Sequence, residues 1–386
     1  MDKGTYLTWV EISKAALTHN VKAIQSLILP NVVFCACVKA NAWGHGLVEC
    51  SRIFLEAGAQ WLSVNALYEA IELRKAGITA PIYIMGYIRI ADMDLAVSTD
   101  ARIVIYNKES VNALQKASQA VGKKTHVHIK VETGLNRQGV LMSDLEDFAK
   151  HIASQPNLVI EGVATHFADV EDEGVRVPFE KQAALLKDAK KIVESTCGHP
   201  IMAHCSNSAS TFIAPHVQFD MVRVGIACYG MWPSARIQDI YKKEKPTFEL
   251  QPAFTWKTIV AQVKDAPPGA YVGYGSSVEL VRPTKIAVLP IGYYDGYMRA
   301  FSNKSRVLIG GKFAPILGRV AMNMIMVDVT DISQVSLEDE VVLLGRQGDN
   351  EITAEEMSHY ADTINYEIPT RVSAGVNTNI PRIVIE

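Results

Sequence analysis

The stretch VVFCACVKANAWGHG (residues 32–46) joins a continuous apolar run to a lysine and a turn of small residues. The apolar run is long enough for one β-strand. Its lack of polar alternation is typical of a strand covered on both faces in a parallel sheet. Lys39 follows directly, so the stretch predicts a buried parallel strand with a lysine at its carboxyl end.

Seven further β-rich runs follow the first one, with amphipathic helical segments such as 66–77 and 179–196 between them. Eight strand–helix units in succession predict an α/β protein with a (β/α)8 TIM barrel. A doubly wound open sheet is the alternative, because periodicity alone does not show that the sheet closes. The eight predicted strands lie at 32–40, 61–66, 81–87, 102–106, 125–133, 158–167, 200–207 and 221–230.

The pattern changes near residue 234. PSARIQDIYKKEKPTFELQP (233–252) is charged and contains proline, which predicts a linker. The remaining chain has short apolar runs separated by Gly and Pro, which indicates a mostly β domain. Helix is expected there only at 353–363. We therefore predict an N-terminal strand segment (1–12) that packs with the C-terminal domain, a barrel (13–240) and a C-terminal β domain (241–386).

Composition excludes several classes of protein. The 386 residues are 48% hydrophobic and carry a net charge of −3, so nothing favours nucleic acid or an acidic membrane surface as a partner. The N-terminus has no apolar signal segment, and no apolar stretch approaches the roughly 18–20 residues of a membrane span. The six cysteines have no zinc-site spacing. These features predict a reduced, cytoplasmic protein without a metal site.

Nitrogen-bearing side chains stand at the carboxyl ends of the predicted strands, where a TIM barrel places its active site. Each has a simpler explanation by itself: a lysine that reaches solvent, a satisfied core histidine, or an arginine paired with Asp220. Together they indicate an anionic ligand such as a phosphate. A nucleophilic lysine beside a phosphate site is what pyridoxal phosphate requires. The residues are Lys39, Lys130, His166, His204, Asn207 and Arg223, with Glu132 among them.

The segment VKANAWGHG (38–46) resembles the cofactor-attachment motif of the alanine racemase family, VKANAYGHG. The resemblance continues in order over nearly the whole chain. It implies a pyridoxal-phosphate barrel followed by a β domain, a homodimer with shared active sites, and conversion of L-alanine to D-alanine for peptidoglycan. The other matching segments are TWVEISKAALTHNV (8–21), HIKVETGLNRQG (128–139), THFADVEDE (165–173), SNSAS (206–210), RVGIACYG (223–230), YVGYG (271–275), GYYDGY (292–297), GRVAMNM (318–324) and NYEIPTRV (365–372).

The resemblance also implies the roles of single residues. Lys39 would carry pyridoxal 5′-phosphate and act as base on one face of the substrate, and Tyr274 from the partner subunit would act on the other. Arg137 would orient the substrate, supported by Lys130, which matches a lysine that is often carbamylated. The implied cofactor-binding residues are Lys39, Trp43, His166, Asn207, Ser208, Arg223, Gly225, Ile226 and Tyr366, and Met322 and Asn323 join Arg137 at the substrate.

Three residues depart from the family pattern, and the change at residue 323 bears on which side chains are admitted. Trp43 replaces a tyrosine, Asn323 replaces an aspartate at the substrate entry, and Glu132 replaces an aspartate. A racemase of serine, lysine or several amino acids is therefore an alternative. A barrel decarboxylase is a further one, which Arg223 and Tyr274 argue against. A carrier protein for the cofactor is the last, and such proteins lack the second domain.

Overall fold

The computed structural model describes residues 6–171, 178–374 and 380–386. These residues form two compact units. The barrel unit comprises Leu17–Ala42 and Leu47–Gln251. The C-terminal unit comprises the described residues up to Ala16, the short segment Trp43–Gly46, and the described residues from Pro252 onward.

The first part of the chain alternates strands and helices, as the spacing of its apolar runs predicts. In chain order its elements are β1 (Thr8–Ser13), α1 (Lys14–Gln25), β2 (Val33–Cys37), α2 (Lys39–Trp43), α3 (Leu47–Ala57), β3 (Trp61–Val64), α4 (Leu67–Lys75), β4 (Ile82–Ile84), α5 (Met93–Ser98), β5 (Arg102–Ile105), α6 (Lys108–Ala120), β6 (Thr125–Lys130), α7 (Leu145–Ala153), β7 (Leu158–Ala164), α8 (Phe179–Cys197), β8 (Met202–His204), α9 (Ser208–Ile213), β9 (Met221–Val224) and α10 (Ala235–Glu244).

Strands β2 to β9 form a parallel sheet in the order β8-β7-β6-β5-β4-β3-β2-β9, so the last strand lies beside the first. The two strands at the ends of this order, β8 and β9, are joined by two backbone hydrogen bonds of 3.0 Å near their ends. These run from Asp220 N to Ala203 O and from Arg223 N to Ser206 O. Sequential neighbours with the last strand beside the first make a nearly closed barrel. The TIM-barrel prediction is confirmed, and the open doubly wound sheet is wrong.

The predicted linker at 233–252 is wrong, because it contains helix α10. The Ser234 side chain caps this helix by accepting from the N–H of Ile237. Ile237 and Tyr241, one helical turn apart, are both buried. Tyr241 packs against Phe212, with ring centroids 5.1 Å apart. The charged residues around these apolar positions, such as the KKEK run that follows Tyr241, concealed the helical spacing.

The C-terminal unit is mostly β, as predicted. Its elements beyond β1 are β10 (Phe254–Ile259), β11 (Gln262–Ala266), β12 (Tyr271–Val272), β13 (Val278–Glu279), β14 (Thr284–Leu289), β15 (Arg306–Ile309), β16 (Lys312–Leu317), β17 (Ile325–Asp328), β18 (Glu340–Gln347), β19 (Asn350–Ile352), α11 (Ala354–Ala361), α12 (Glu367–Ala374) and β20 (Arg382–Ile385). The prediction of helix only at 353–363 missed α12.

One sheet organises this unit, in the order β11-β14-β17-β16-β15-β18-β10-β1-β20, with β19 on β18. Strand β1 pairs antiparallel with β10 and parallel with β20, so the N-terminal strand is part of the C-terminal unit's sheet. Strands β12 and β13 form a separate hairpin. Among the described residues, no helix is both long and apolar enough to span a bilayer.

Candidate active site

Lys39 lies just beyond β2, at the start of the short helical turn α2. The next four residues, Ala40, Asn41, Ala42 and Trp43, have φ values of 51–55°, which makes the turn left-handed. An L-residue costs about 1–2 kcal/mol in this conformation, so the four together cost roughly 4–8 kcal/mol. Strain of this kind is concentrated at functional sites and persists only where surrounding contacts hold it.

The buried carboxylate of Glu69 provides one such contact. One of its oxygens accepts from the N–H of Ala40 at 2.6 Å. The other accepts from the N–H groups of Asn65 and Ala66, both at 2.9 Å, at the start of helix α4. The side chain is 1% exposed. Glu69 thus joins the cap of one helix to the residue that follows Lys39.

His166 stands two residues beyond β7 in a positively charged environment. Burial lowers the pKa of His166 well below its ordinary value, and the charges of Arg223, Lys130, Arg137 and Lys39 lower it further. These residues from different barrel strands and loops therefore share one electrostatic environment. Such an accumulation of positive charge around a neutral imidazole fits an anionic ligand.

Lys130 ends strand β6 and is buried. Burial lowers its pKa well below the ordinary lysine value; the nearby Arg223 and Arg137 lower it further, while Glu132 opposes them. The amine therefore remains neutral over a wider pH range than an ordinary lysine. A neutral amine is the form that attacks carbon dioxide.

Arg223 lies within β9 with its guanidinium inside the barrel unit, 8% exposed. Its Nη1 hydrogen-bonds to His204 Nδ1, and its Nη2 donates to the carbonyl of Thr165 at 2.9 Å. The suggested pairing with Asp220 is wrong: that carboxylate accepts from Lys190 Nζ at 2.9 Å instead. Arg223 is thus held in place by neutral acceptors.

A second cluster gathers the residues expected to hold a phosphate. The Asn207 side chain caps helix α9 by accepting from the N–H of Ser210 at 3.0 Å. Ser208 begins that helix, and its hydroxyl accepts from the N–H of Gly225 at 3.1 Å. Ile226 begins the 3-10 turn Ile226–Tyr229. A hydroxyl and neighbouring backbone N–H groups are donors that suit phosphate oxygens.

In the C-terminal unit, Tyr274 lies on a groove of about 370 Å³. The groove also contains Met322 and Asn323, so the fold brings together the three residues assigned to catalysis and substrate in this unit. Its lining is Gly273, Tyr274, Ala321, Met322, Asn323, Met324 and Met326. Tyr274 is 73% exposed, between two glycines with φ of 78° and 72°. That conformation is costly for residues other than glycine, so the turn fixes the backbone on both sides of the tyrosine.

Trp43 and Tyr366 lie together in the C-terminal unit. Their ring centroids are 5.2 Å apart with an interplanar angle of 52°. The residue after Trp43 must be glycine, because a Cβ on Gly44 would stand 2.1 Å from the carbonyl oxygen of Pro369. The indole of Trp43 thus packs against Tyr366, another of the residues expected to bind the cofactor.

Sequence reasoning did not single out Glu69 or His128. Glu69 lies in a helix whose amphipathic pattern gave no reason to expect a buried carboxylate. His128 lies two residues before Lys130 in the strand THVHIK, and period-2 spacing alone places the two side chains on one face. That spacing could have found His128. Within the described ranges, no group of three or more His, Cys, Asp or Glu is arranged to hold a metal ion.

Comparison with known protein families gives two matches that together cover most of the chain. Residues 12–233 match the family described as alanine racemase, N-terminal domain. Residues 253–380 match alanine racemase, C-terminal domain. Among curated proteins, the chain is 40% identical to alanine racemase of Methanococcus maripaludis, over 98% of each chain. It is 37% identical to alanine racemase of Halothermothrix orenii, covering 97% of this chain and 96% of the relative.

Solved structures show the same likeness. Alanine racemase of Bacillus anthracis with bound L-Ala-P has a TM-score of 0.90 and 36% identity, over 98% of this chain and 95% of that one. Alanine racemase of Bartonella henselae with covalently bound pyridoxal phosphate has a TM-score of 0.83 and 27% identity, over 98% of this chain and all of that one.

Proposed function

The chain belongs to the alanine racemase family, and on that premise we propose that Lys39 and Tyr274 of the partner subunit are its two catalytic bases. Membership makes the chain a racemase of alanine that depends on pyridoxal phosphate. Inverting a carbon centre requires one group to remove the α-proton and another to deliver a proton to the opposite face. The amine of Lys39 serves one face and the phenol of Tyr274 serves the other.

The described residues fit the cofactor. Lys39 offers an amine at the barrel rim, and the hydroxyl of Ser208 and the N–H of Ile226 offer donors for the phosphate. The N–H of Gly225, which donates to Ser208 Oγ in this structure, would be shared with the phosphate. Arg223 offers a guanidinium for the pyridine nitrogen. When bound, pyridoxal phosphate supplies an electron sink that acidifies the α-proton of an amino acid.

Arg223 shapes how strong that sink is. A guanidinium stays protonated, so Arg223 would donate a hydrogen bond to the ring nitrogen of a bound cofactor without giving up a proton. A ring that is not protonated there withdraws electrons more weakly, which limits side reactions such as transamination. This choice of residue supports racemisation over decarboxylation.

Arg137 binds the substrate carboxylate in this proposal, and Lys130 supports it. The two side chains lie close enough for the charge of Arg137 to lower the pKa of Lys130. A carbamate on the Lys130 amine would replace a buried neutral group with an anion facing two guanidinium groups. The carbamate would form ion pairs with guanidinium groups that disfavour a protonated amine at the same position.

We also propose a homodimer, which the exposure of Tyr274 supports. A catalytic phenol that is 73% exposed, beside Met322 at 54%, has no enclosed site in its own C-terminal unit. We propose, as the family resemblance implies, that these side chains enter the active site of the partner subunit. We propose a dimer in which each C-terminal unit completes the other subunit's barrel site, supplying D-alanine for peptidoglycan in the cytoplasm.

The single observation that carries the proposal is that the buried guanidinium of Arg223, together with Lys39 and Arg137, makes a positive environment around His166 at the barrel rim. The first experiment incubates the protein and pyridoxal phosphate with L-alanine, L-serine and L-lysine separately, followed by chiral chromatography. D-alanine as the main product supports the proposal. Racemisation of serine or lysine faster than alanine would indicate a racemase of broader specificity, and Asn323 in the groove would be the first residue to test. Carbon dioxide release would indicate a decarboxylase.

Tyr274→Phe tests the two-base assignment. Removing the phenol should lower racemisation by about 10²–10⁴-fold. Exchange of the α-proton with deuterated water should survive for one enantiomer, because Lys39 remains, and bound pyridoxal phosphate should be unchanged. Tyr271→Phe is the matched control, since Tyr271 is also exposed and its hydroxyl bonds only to Glu279 in the described structure. Undiminished racemisation in both directions after Tyr274→Phe would contradict the assignment.

A further inference from the structure

A line of hydrogen bonds runs through the barrel unit from Arg223 to a carboxylate on another strand. Arg223 Nη1 bonds to His204 Nδ1, and His204 Nε2 lies 2.8 Å from His128 Nδ1. His128 Nε2 lies 3.0 Å from Glu161 Oε2, and Arg102 Nε donates to the same oxygen at 3.1 Å. Both imidazoles are 0% exposed. The line thus links the guanidinium assigned to the pyridine nitrogen with a distant carboxylate.

The chemistry of the donors fixes the direction of every bond. An arginine can only donate, so His204 Nδ1 accepts and the proton of His204 sits on Nε2. That N–H donates to His128, whose Nδ1 accepts and whose own proton therefore sits on Nε2. The His128 N–H donates to the carboxylate of Glu161. All donors in the line therefore point away from Arg223 and towards Glu161.

Both histidines are neutral in this arrangement. Burial lowers the pKa of His204 well below its ordinary value, and Arg223 lowers it further. Burial also lowers the pKa of His128, although Glu161 opposes the effect. A proton added to His204 Nδ1 would face an N–H of Arg223 and break the line. The direction is therefore stable against ordinary changes of pH.

The side chains that pack around the line hold its two imidazoles in place. Tyr83 packs on both imidazoles, with ring centroids 5.0 Å from His128 and 5.2 Å from His204. Gly162, next to Glu161, leaves room for the ring of His128: a Cβ at this position would lie 2.6 Å from His128 Nδ1. Every imidazole nitrogen in this buried line has a hydrogen-bond partner. The line therefore favours one side-chain geometry, because any other would leave a buried polar group without a partner.

We propose that His128 and Glu161 are positioning residues that orient and polarise Arg223 through His204. The carboxylate makes each imidazole a better acceptor for the donor before it, and the last donor is the guanidinium. A guanidinium that donates strongly to His204 donates less strongly to a pyridine nitrogen. The line therefore holds Arg223 in place and moderates its effect on the cofactor. This inference depends on the proposed function, in which Arg223 contacts that nitrogen.

The test compares Glu161→Gln with Glu356→Gln in the holoenzyme. Glu356 is the matched control: its side chain is as exposed as that of Glu161, at 20%, and it is bonded to Arg306. Glu161→Gln keeps an acceptor for His128 but removes the charge. We expect kcat for alanine to fall about tenfold, as for other outer partners of a catalytic group, with a smaller change in KM.

A spectroscopic readout separates this role from a purely structural one. With ¹⁵N-labelled pyridoxal phosphate bound, the pyridine nitrogen resonance should shift in Glu161→Gln and stay in place in Glu356→Gln. His128→Gln should retain most activity and the native resonance, because a carboxamide can accept from His204 and donate to Glu161. His128→Phe cannot do either and should lose both.

The outcomes distinguish the two proposals. If the wild-type protein does not racemise alanine, the proposed function fails. If it does, and Glu161→Gln matches wild type in kcat and in the nitrogen resonance, only the positioning role is refuted. If Glu161→Gln does not fold, the His128→Gln and His128→Phe pair decides: equal behaviour of these two variants would overturn the inference.

Discussion

Glu69→Gln should release the strained turn that follows Lys39. The glutamine has the same shape as the glutamate but only one acceptor oxygen. In the native protein two carboxylate oxygens serve three N–H groups, one on Ala40 and two at residues 65–66. The better arrangement of the amide turns its oxygen towards the two N–H groups of the helix cap. Its NH₂ group then faces the N–H of Ala40, and one charged hydrogen bond is lost.

The size of the effect follows from these contacts. A hydrogen bond to a charged group contributes about 1.5–3 kcal/mol, and a buried donor without an acceptor costs about 1–3 kcal/mol. We expect a loss of roughly 2–3 kcal/mol for Glu69→Gln, because part of the penalty is relieved when the turn relaxes. That amount is a large part of the roughly 4–8 kcal/mol of left-handed strain in α2. Lys39 should therefore lose its fixed position as well.

Scanning calorimetry and cofactor binding together test this prediction. The melting temperature should fall by about 5–10 °C, since each kcal/mol shifts a domain of this size by a few degrees. The affinity for pyridoxal phosphate should fall in parallel. Glu72→Gln is the matched control, because Glu72 lies on the same helix with its side chain exposed, and surface changes usually stay within about 0.5 kcal/mol. A Glu69→Gln variant that melts within 1 °C of wild type would refute the reasoning.

Three further predictions concern the rest of the site. Gly44→Ala should prevent stable folding or lower the melting temperature strongly, because φ is +85° and a Cβ has no space there. Calorimetry measures this. Gly77→Ala is the control, because Gly77 has a similar φ but a Cβ there would meet no atom within 4 Å. Lys130 should gain the mass of carbon dioxide in bicarbonate buffer, as read by native mass spectrometry, and Lys130→Arg should abolish the gain. The free energy of unfolding should fall as the pH drops below about 6.5, because the unfolded chain then binds protons that the folded chain does not. The loss should reach up to about 1.4 kcal/mol per pH unit for each histidine with a lowered pKa. Denaturant titrations at about pH 5 to 7 measure it, and a free energy of unfolding that stays constant or rises on acidification would contradict the prediction. The histidines are His128, His166 and His204.

The barrel could be predicted because each of its strands is buried on both faces. A strand such as VFCAC (33–37) must then be apolar throughout, and it stands out from the amphipathic helices around it. Helix α10 could not be found in the same way. Its two buried residues, Ile237 and Tyr241, stand in a charged segment bounded by Pro233 and Pro246, so composition favoured a linker. The packing of Tyr241 onto other aromatic side chains, which stabilises the helix, is not visible in the sequence.

The placement of the site was partly predictable for a related reason. Polar side chains at strand ends are rare in an apolar core, so Lys39, Lys130 and Arg223 could be identified from sequence. The left-handed turn after Lys39 could not, because ANAW (40–43) contains no glycine and no residue typical of that conformation except Asn41. The turn is imposed by Glu69, a contact across 29 positions of the chain.

The two kinds of buried polar group in the barrel unit have opposite requirements. Lys39, Arg137 and Arg223 bring positive charge that an anionic ligand can neutralise. The histidines among them must stay uncharged, because another proton would add repulsion in a site that is already positive. The fixed direction of the line from Arg223 to Glu161 meets this requirement: every imidazole nitrogen in it is already a donor or an acceptor. The two imidazoles between Arg223 and Glu161 therefore add no further positive charge to the barrel interior.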